Sequence, residues 1–400
     1  MNKRFRVVVV GGGVTGLMAA TLLARSDQGE RLDITVLDAA PRPLFSPEDE
    51  VALRVSAIST GSAALFDAVG AWDHVVTTRA CAYECMHVWD EDDAPDSVSA
   101  LRFDAAEFAV PQLGFIIENV LLQDTLLRRL GETAVDLRFG IPLKTLQRVG
   151  ERYQLELETG EELDADLVVG ADGARSFIRD EAGIEAGELP YRQTAFVTHL
   201  EPSEPHRATA RQRFLRDGPL GILPLQDGRV SVVWSTTPEQ AQEALDADDD
   251  TTGRMLSEAS GYVLGTLTVA GPQGAFPLVA RHARHYVLPN LVLIGDAAHA
   301  IHPLAGQGAN LGLQDAAELA RQVSRALGEG LHPGDRPVLR RYERARKGAN
   351  TTMLNFMTGL NRLFATDSRV IGGIRATGMR AFNRSGLLRE RVVKVALGVN

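Results

Sequence analysis

Residues 5–10, FRVVVV, form a nearly unbroken apolar run that ends in three glycines, and apolar positions at helical spacing follow in GLMAATLLA. A short apolar run closed by glycine predicts a strand buried on both faces, and the spacing after it predicts a helix. A second such run, LDITVLD at 32–38, completes a βαβ unit. Helical spacing returns in IIENVLLQDTLLRRL. The stretch YQLELETGEELDADLVVGADGARSFIR alternates, turns, alternates again and ends in a polar turn, which predicts a hairpin feeding a buried strand. Residues 76–112 and about 190–286 read as short strands around turns, with LDADDDTT as a solvated loop and His282 and His285 on the surface. The segment LIGDAAHAIHPLAGQGANLGLQDAAELA, at 293–320, predicts a strand, a polar stretch, a glycine turn and a helix. This interleaving predicts an α/β chain. A split Rossmann-like nucleotide domain covers 1–75, 113–188 and 287–345, an inserted β-sheet-rich substrate domain covers 76–112 and 189–286, and a C-terminal helical segment covers 346–400.

Composition narrows the choice. With 400 residues, 44% of them hydrophobic, the chain is long enough for a large core. The net charge of −10 gives no basis for nucleic-acid binding, which requires clustered Lys and Arg. The two cysteines, Cys81 and Cys85, lie in one strand-like stretch, where four residues span roughly 13 Å, too far for a disulfide. Free thiols are expected, consistent with a reducing, cytoplasmic setting. No signal peptide and no apolar run of membrane-spanning length is read. The last residues are basic: positions 348–400 hold eight Arg or Lys against two acids, and Leu388, Val392, Val395 and Ala396 fall at helical spacing. A basic amphipathic helix at the inner face of a membrane is one reading of that tail, and a helix packed on the body is the other.

The chemistry starts at Gly11, Gly13 and Gly16 of GGGVTG. Glycines at this spacing permit a tight turn, close approach of a pyrophosphate, and close packing of helix on strand, and the helix N-terminus offers free N–H groups. Asp38, 22 residues after Gly16, stands where a carboxylate takes the ribose hydroxyls of an adenosine, and its charge disfavours a 2′-phosphate. Three separate polar or glycine-rich stretches suit FAD better than NAD, because FAD needs its ribityl chain and ring held far from the adenosine. The rival is a metal: DAAHAIH supplies Asp296, His299 and His302, the donor types of a non-heme iron site. His302 as a hydrogen-bonded turn residue, and Asp172 as a capping turn, also stay open.

GGGVTG, GADGARSFIR and LIGDAAHAIHPLAGQGANLGLQDA together resemble the three signatures of the class A flavoprotein monooxygenases. LGFIIENVLLQ, FLRDGPLGILPL, VSVVWS and YERARKGAN further resemble the ubiquinone-biosynthesis hydroxylase group within that class. The sequence departs at Asp38, where the wider class often has Glu, and at Ala52, where the group commonly has Asp. The resemblance implies that FAD is held by Gly11, Gly13, Gly16, Asp38, Arg54, Gln123, Asp172, Asp296, Pro303, Gly306, Gly308 and Asn310. It also implies NAD(P)H as a transient reductant, and O2 and a prenylated aromatic small molecule as substrates of a ring hydroxylation. Arg213, Phe214, Leu223, Pro224 and Trp234, on the inserted strands, are candidate substrate-lining residues. No metal is expected on this reading, and no catalytic side chain stands out, because the cofactor carries the chemistry. A prenyl-chain reductase of the same fold and a non-catalytic flavoprotein subunit remain alternatives. Peripheral membrane contact, a biosynthetic complex and a homo-oligomer stay open as associations.

Overall fold

The structure, a computed structural model, describes residues 4–302 and 307–365, together with Phe382, Ser385, Gly386, Arg389 and Glu390. The chain opens with β1 (Phe5–Val10), α1 (Val14–Ala24) and β2 (Leu32–Asp38). Next come β3 (Val55–Ser59), α2 (Thr60–Ala68), α3 (Trp72–Arg79), β4 (Ala80–Tyr83), β5 (Cys85–Asp90), β6 (Leu101–Asp104), β7 (Gly114–Glu118) and α4 (Asn119–Leu130). Strands β8 (Asp136–Phe139), β9 (Leu143–Val149), β10 (Arg152–Leu157), β11 (Glu162–Ala165) and β12 (Leu167–Gly170) lead into the short α5 (Phe177–Glu181). The second half runs through β13 (Ala186–Pro202), β14 (Thr209–Leu215), β15 (Gly218–Pro224), β16 (Val230–Thr236), α6 (Pro238–Asp246), α7 (Asp249–Ser260) and β17 (Leu267–Ala283). It closes with β18 (Val287–Leu288), β19 (Leu291–Leu293), β20 (His299–Ala300), α8 (Gln307–Gly328) and α9 (Arg336–Ala365).

Two large sheets organise these elements. A six-stranded sheet has the order β18-β19-β12-β1-β2-β8, with β1 parallel to both β2 and β12, and β12 parallel to β19. Its centre therefore draws on three distant stretches of chain. Val7, Val8 and Val9 are buried because helices and neighbouring strands cover both faces of the sheet, which explains the unbroken valine run. An eight-stranded sheet has the order β20-β17-β13-β16-β15-β14-β5-β6. One of its faces carries Phe196, Leu220, Ile222, Val232 and Trp234 and packs with Ala241, Ala244 and Leu256 of α6 and α7.

Several sequence expectations are corrected. Residues 116–118 are not helical: they complete β7, hydrogen-bonded between β3 and β4, and the helix begins only at Asn119. LDADDDTT is not a loop, because Asp248 caps α7 by accepting from the Thr251 N–H at 2.7 Å, and Asp249 and Asp250 occupy the first turn, where acids favour the helix dipole. Cys81 and Cys85 are free, as expected, but they do not share a strand: the chain passes from β4 to β5 at Glu84, into a different sheet. His285 is exposed, whereas His282 is partly buried with Nε2 2.8 Å from the Tyr286 hydroxyl. The helix reaching residue 346 starts at Arg336. Pro303 and Gly306, and the tail residues Leu388, Val392, Val395 and Ala396, lie outside the described residues. No helix among the described residues is long and apolar enough to cross a membrane.

Candidate active site

The glycine turn after β1 meets the two other motif stretches. Gly11 has φ +114°, and a Cβ there would stand 2.2 Å from the Ala171 carbonyl oxygen and 2.8 Å from the Asp172 nitrogen, so only glycine lets the first stretch touch the second. The third stretch packs on Thr15: a Cβ at Gly295 would lie 3.1 Å from Thr15 Cγ2, and one at Gly312 would lie 2.4 Å from Thr15 Oγ1. Gly16 faces back to the Gly11 carbonyl, where a Cβ would be 2.0 Å away. Gly13 differs, since a Cβ there meets nothing within 4 Å, and Gly308 at the start of α8 is equally open. Gly13 is the N-cap of α1, with no side-chain cap and no acid in the first turn. An uncapped helix end opening onto free space fits the phosphates of a dinucleotide.

Asp38 sits at the end of β2 beside this turn. Its carboxylate accepts from the Gly12 N–H at 2.5 Å and the Ala40 N–H at 2.7 Å. Gln123, on α4, donates to the Gly12 carbonyl at 2.9 Å and so braces the turn from below. Asp172 is used as a cap: it accepts from Ser176 Oγ at 2.6 Å and the Ile178 N–H at 3.0 Å, and burial raises its pKa. Asn310 is buried between α8 and β3, donating to the Ala57 carbonyl at 2.8 Å and accepting from the Ser59 N–H at 2.9 Å. Asp296 is the open member of the set. Its surface is exposed, yet the protein around it is dense enough that desolvation raises its pKa, while His299 and Arg54 pull the other way. That combination describes a carboxylate on the wall of a cleft, with the exposed Arg54 nearby, and it suits a polyol chain of a ligand.

The histidines do not form a metal cluster with Asp296; no such cluster occurs among the described residues. His299 Nε2 instead bonds the buried Asp315 carboxylate, which also accepts from Arg346 Nε at 2.6 Å, Asn350 Nδ2 at 3.2 Å and the Gly295 N–H at 3.1 Å. Burial alone would raise the Asp315 pKa, but His299 and Arg346 outweigh it and the net shift is downward. This network ties α8 and α9 to the loop bearing Asp296. Sequence reasoning missed it, though a signal existed: Asp315 interrupts the stripe of Leu311 and Leu319 on α8, and a carboxylate on a buried helix face requires partners. His302 is also buried, its Nε2 3.1 Å from Gln193 Oε1 on β13. Because Gln193 Nε2 donates to the Asp217 carbonyl at 2.7 Å, its Oε1 is an acceptor and His302 carries its proton on Nε2. Burial lowers the His302 pKa to about 4.

Gln193 belongs to the face of the eight-stranded sheet opposite α6 and α7, and strand alternation names the rest. Ala195, Val197 and His199 of β13 share that face with Ser231, Val233 and Ser235 of β16, Gly221 and Leu223 of β15, and Gln212 and Phe214 of β14. Two links hold the face against the nucleotide-binding side: His302 to Gln193, and His199 Nε2 donating to the Ala52 carbonyl at 3.1 Å. Of the five candidate substrate residues, Trp234 and Pro224 fall on the wrong face, and Arg213 spends its guanidinium on the carbonyls of Glu258, Ala259 and Glu91. Phe214 is on the inner face but stacked on Phe364 with centroids 3.9 Å apart. Leu223 is on the inner face, packed against Val51, Ile116 and Leu225.

A split parallel sheet with an uncapped glycine turn, facing a second sheet across a cleft, defines a dinucleotide-binding flavoprotein of two-sheet architecture. The sequence profile described as FAD binding domain matches residues 4–357. The chain is 34% identical to the 3-demethoxyubiquinol 3-hydroxylase of Escherichia coli K12 over the whole length of both proteins. It is 33% identical to the human ubiquinone biosynthesis monooxygenase COQ6, covering 98% of this chain and 92% of that one. Among solved structures, the p-nitrophenol 4-monooxygenase PnpA of Pseudomonas putida superposes with a TM-score of 0.78 over all of both chains at 18% identity. The chain belongs to the ubiquinone-biosynthesis group of class A FAD-dependent monooxygenases. Its cofactor is FAD and it is an enzyme of the hydroxylase type, which disfavours the reductase and scaffold alternatives.

Proposed function

We propose that this enzyme hydroxylates the aromatic ring of a polyprenylated phenol or quinol in ubiquinone biosynthesis, using O2 and electrons from NAD(P)H. The observation that carries this reading is the inner sheet face: half-buried Val197, Val233 and Gly221 form a floor between the links at His302 and His199, on the side of the sheet turned toward Asp296 and Arg54. Beyond Leu223, a cavity of about 210 Å³ has one apolar wall of Val51, Val55, Cys81, Ile116 and Leu225, which would take the first carbons of a prenyl chain, and a polar wall of Thr78, Arg79, Glu118, Gln226 and Asp227. The chemistry that FAD supplies, when bound, is the reductive activation of O2 and the transfer of one oxygen atom to the ring. The protein positions and excludes. Gly13 and the start of α1 would receive the pyrophosphate, Asp38 the ribose and Asp296 the ribityl hydroxyls, while the apolar floor keeps water from the reacting ring. Docking at the inner face of a membrane, aided by the basic tail, would give access to a lipid-borne substrate. Purified FAD-loaded enzyme given a short-chain demethoxyubiquinol, NAD(P)H and O2 should form one product about 16 mass units heavier with ordinary O2 and about 18 with 18O-labelled O2, as expected for insertion of one oxygen atom from O2. Oxidation of NAD(P)H with no labelled product would refute the proposal.

A further inference from the structure

Gln212 is a long polar side chain on the inner sheet face whose amide has no hydrogen-bond partner among the described residues; the short Ser231 hydroxyl on the same face is also without one. Gln212 is only 6% exposed, on β14, in register with Gly221 of β15, which is itself in register with Val233 of β16 and, one strand further, Val197 of β13. Gln193 and His199, on the same face, are tied to His302 and to the Ala52 carbonyl. Among the described residues the Gln212 amide makes no hydrogen bond, nor is it among the buried polar atoms sealed from solvent. The amide is therefore in contact with solvent although the residue is nearly buried, and a ligand oxygen can take the place that water holds beside it. The neighbouring Gly221 keeps room for one: a Cβ there meets only the Val233 carbonyl, at 3.8 Å.

We infer that Gln212 anchors a ring oxygen of the aromatic substrate above the floor that Gly221 leaves open, and so decides which ring carbon is presented for hydroxylation. The inference rests on the function proposed above. An amide suits the task because it accepts from a phenolic O–H and donates to an ether or quinone oxygen, so either oxidation state of the ring is held. The floor of Val197, Val233 and Gly221 carries no directional group of its own, so the ring would rotate in its plane without such an anchor. Gln212 acts as a positioning residue: it moves no proton and touches no redox centre.

The test uses FAD-loaded full-length enzyme and two probes, a hydroquinone carrying one short prenyl chain and the matching prenylbenzene without ring oxygens. Binding is read from the change in the flavin absorption spectrum, and products by position of hydroxylation. The parent should prefer the hydroquinone and hydroxylate it at one position. Gln212→Met keeps the length and removes the amide. It should lose about tenfold of that preference, as expected for one hydrogen bond to a buried partner, bind prenylbenzene like the parent, and give mixed products. Gly221→Ala should weaken both probes, because the added methyl occupies the floor, while FAD affinity stays at the parent value in both variants. A Gln212→Met enzyme that retains the parent's preference and single product overturns the inference. A parent that binds neither probe overturns instead the function on which it rests.

Discussion

Replacing Asp315 should do more damage than its distance from the glycine turn suggests. The carboxylate is fully buried and accepts four hydrogen bonds, from His299, Arg346, Asn350 and the Gly295 N–H. Asp315→Ala leaves the Arg346 guanidinium, itself only 11% exposed, facing a cavity without a counter-charge, and orphans the His299 imidazole. Breaking a buried pair by removing one partner costs about 3–5 kcal/mol, because the desolvated charge stays behind. Asp315→Asn keeps the volume and part of the bonding and should cost roughly half as much. The sign of the pH dependence follows from the lowered pKa of Asp315. This contribution is fully present above the unfolded carboxylate pKa and is lost as pH falls through the still lower folded value. Asp315→Ala should therefore show its full deficit at pH 7, measured as free energy of urea unfolding on FAD-free protein. FAD affinity should drop as well, because Gly295 and His299 fix the loop that carries Asp296. A loss below about 1 kcal/mol, with unchanged FAD affinity, would show that the network is incidental to stability.

Three further outcomes are expected. Gly11→Ala should destabilise the protein, because its Cβ collides with Ala171, whereas Gly13→Ala should leave urea stability near the parent value and weaken FAD binding, because its Cβ enters only open space; equal effects in both assays would refute the division. Asp296→Ala should lose FAD affinity by about 1.5–3 kcal/mol in equilibrium titration, the loss of a charge-assisted hydrogen bond, while His302→Ala keeps it; parent-like affinity for Asp296→Ala would remove its assigned role. Because the His302 pKa is lowered to about 4, the unfolded state binds more protons between pH 6.5 and 4, so its contribution of about 3 kcal/mol is complete above pH 6.5 and falls away as the pH drops toward 4. His302→Gln should flatten the stability profile in that window, and an unchanged slope in chemical denaturation would contradict the burial argument.

Local pattern was enough for the nucleotide-binding elements. The valine run of β1, the glycines at 11, 13 and 16, and Asp38 at the end of β2 are read within one βαβ unit, where neighbours in sequence are neighbours in space. The third motif was equally legible as a motif, since Gly295 and Asp296 follow an apolar strand. What that motif binds together was not. His299 and His302 lie three residues apart, yet one turns to Asp315 and Arg346 on α8 and α9, and the other to Gln193 on β13. Sequence spacing offered them as a pair of metal ligands, because it cannot say which way two side chains in a turn diverge. The substrate face shows the same limit. Trp234 looked like an aromatic lining residue and Val233 looked like nothing, but a strand alternates sides, and the packing of α6 and α7 against one side decides which alternate is core and which is cleft. Gln212 and Gly221 have no local signal at all. They matter only because antiparallel pairing sets them side by side on the face turned toward the nucleotide, and that register is a property of the assembled sheet.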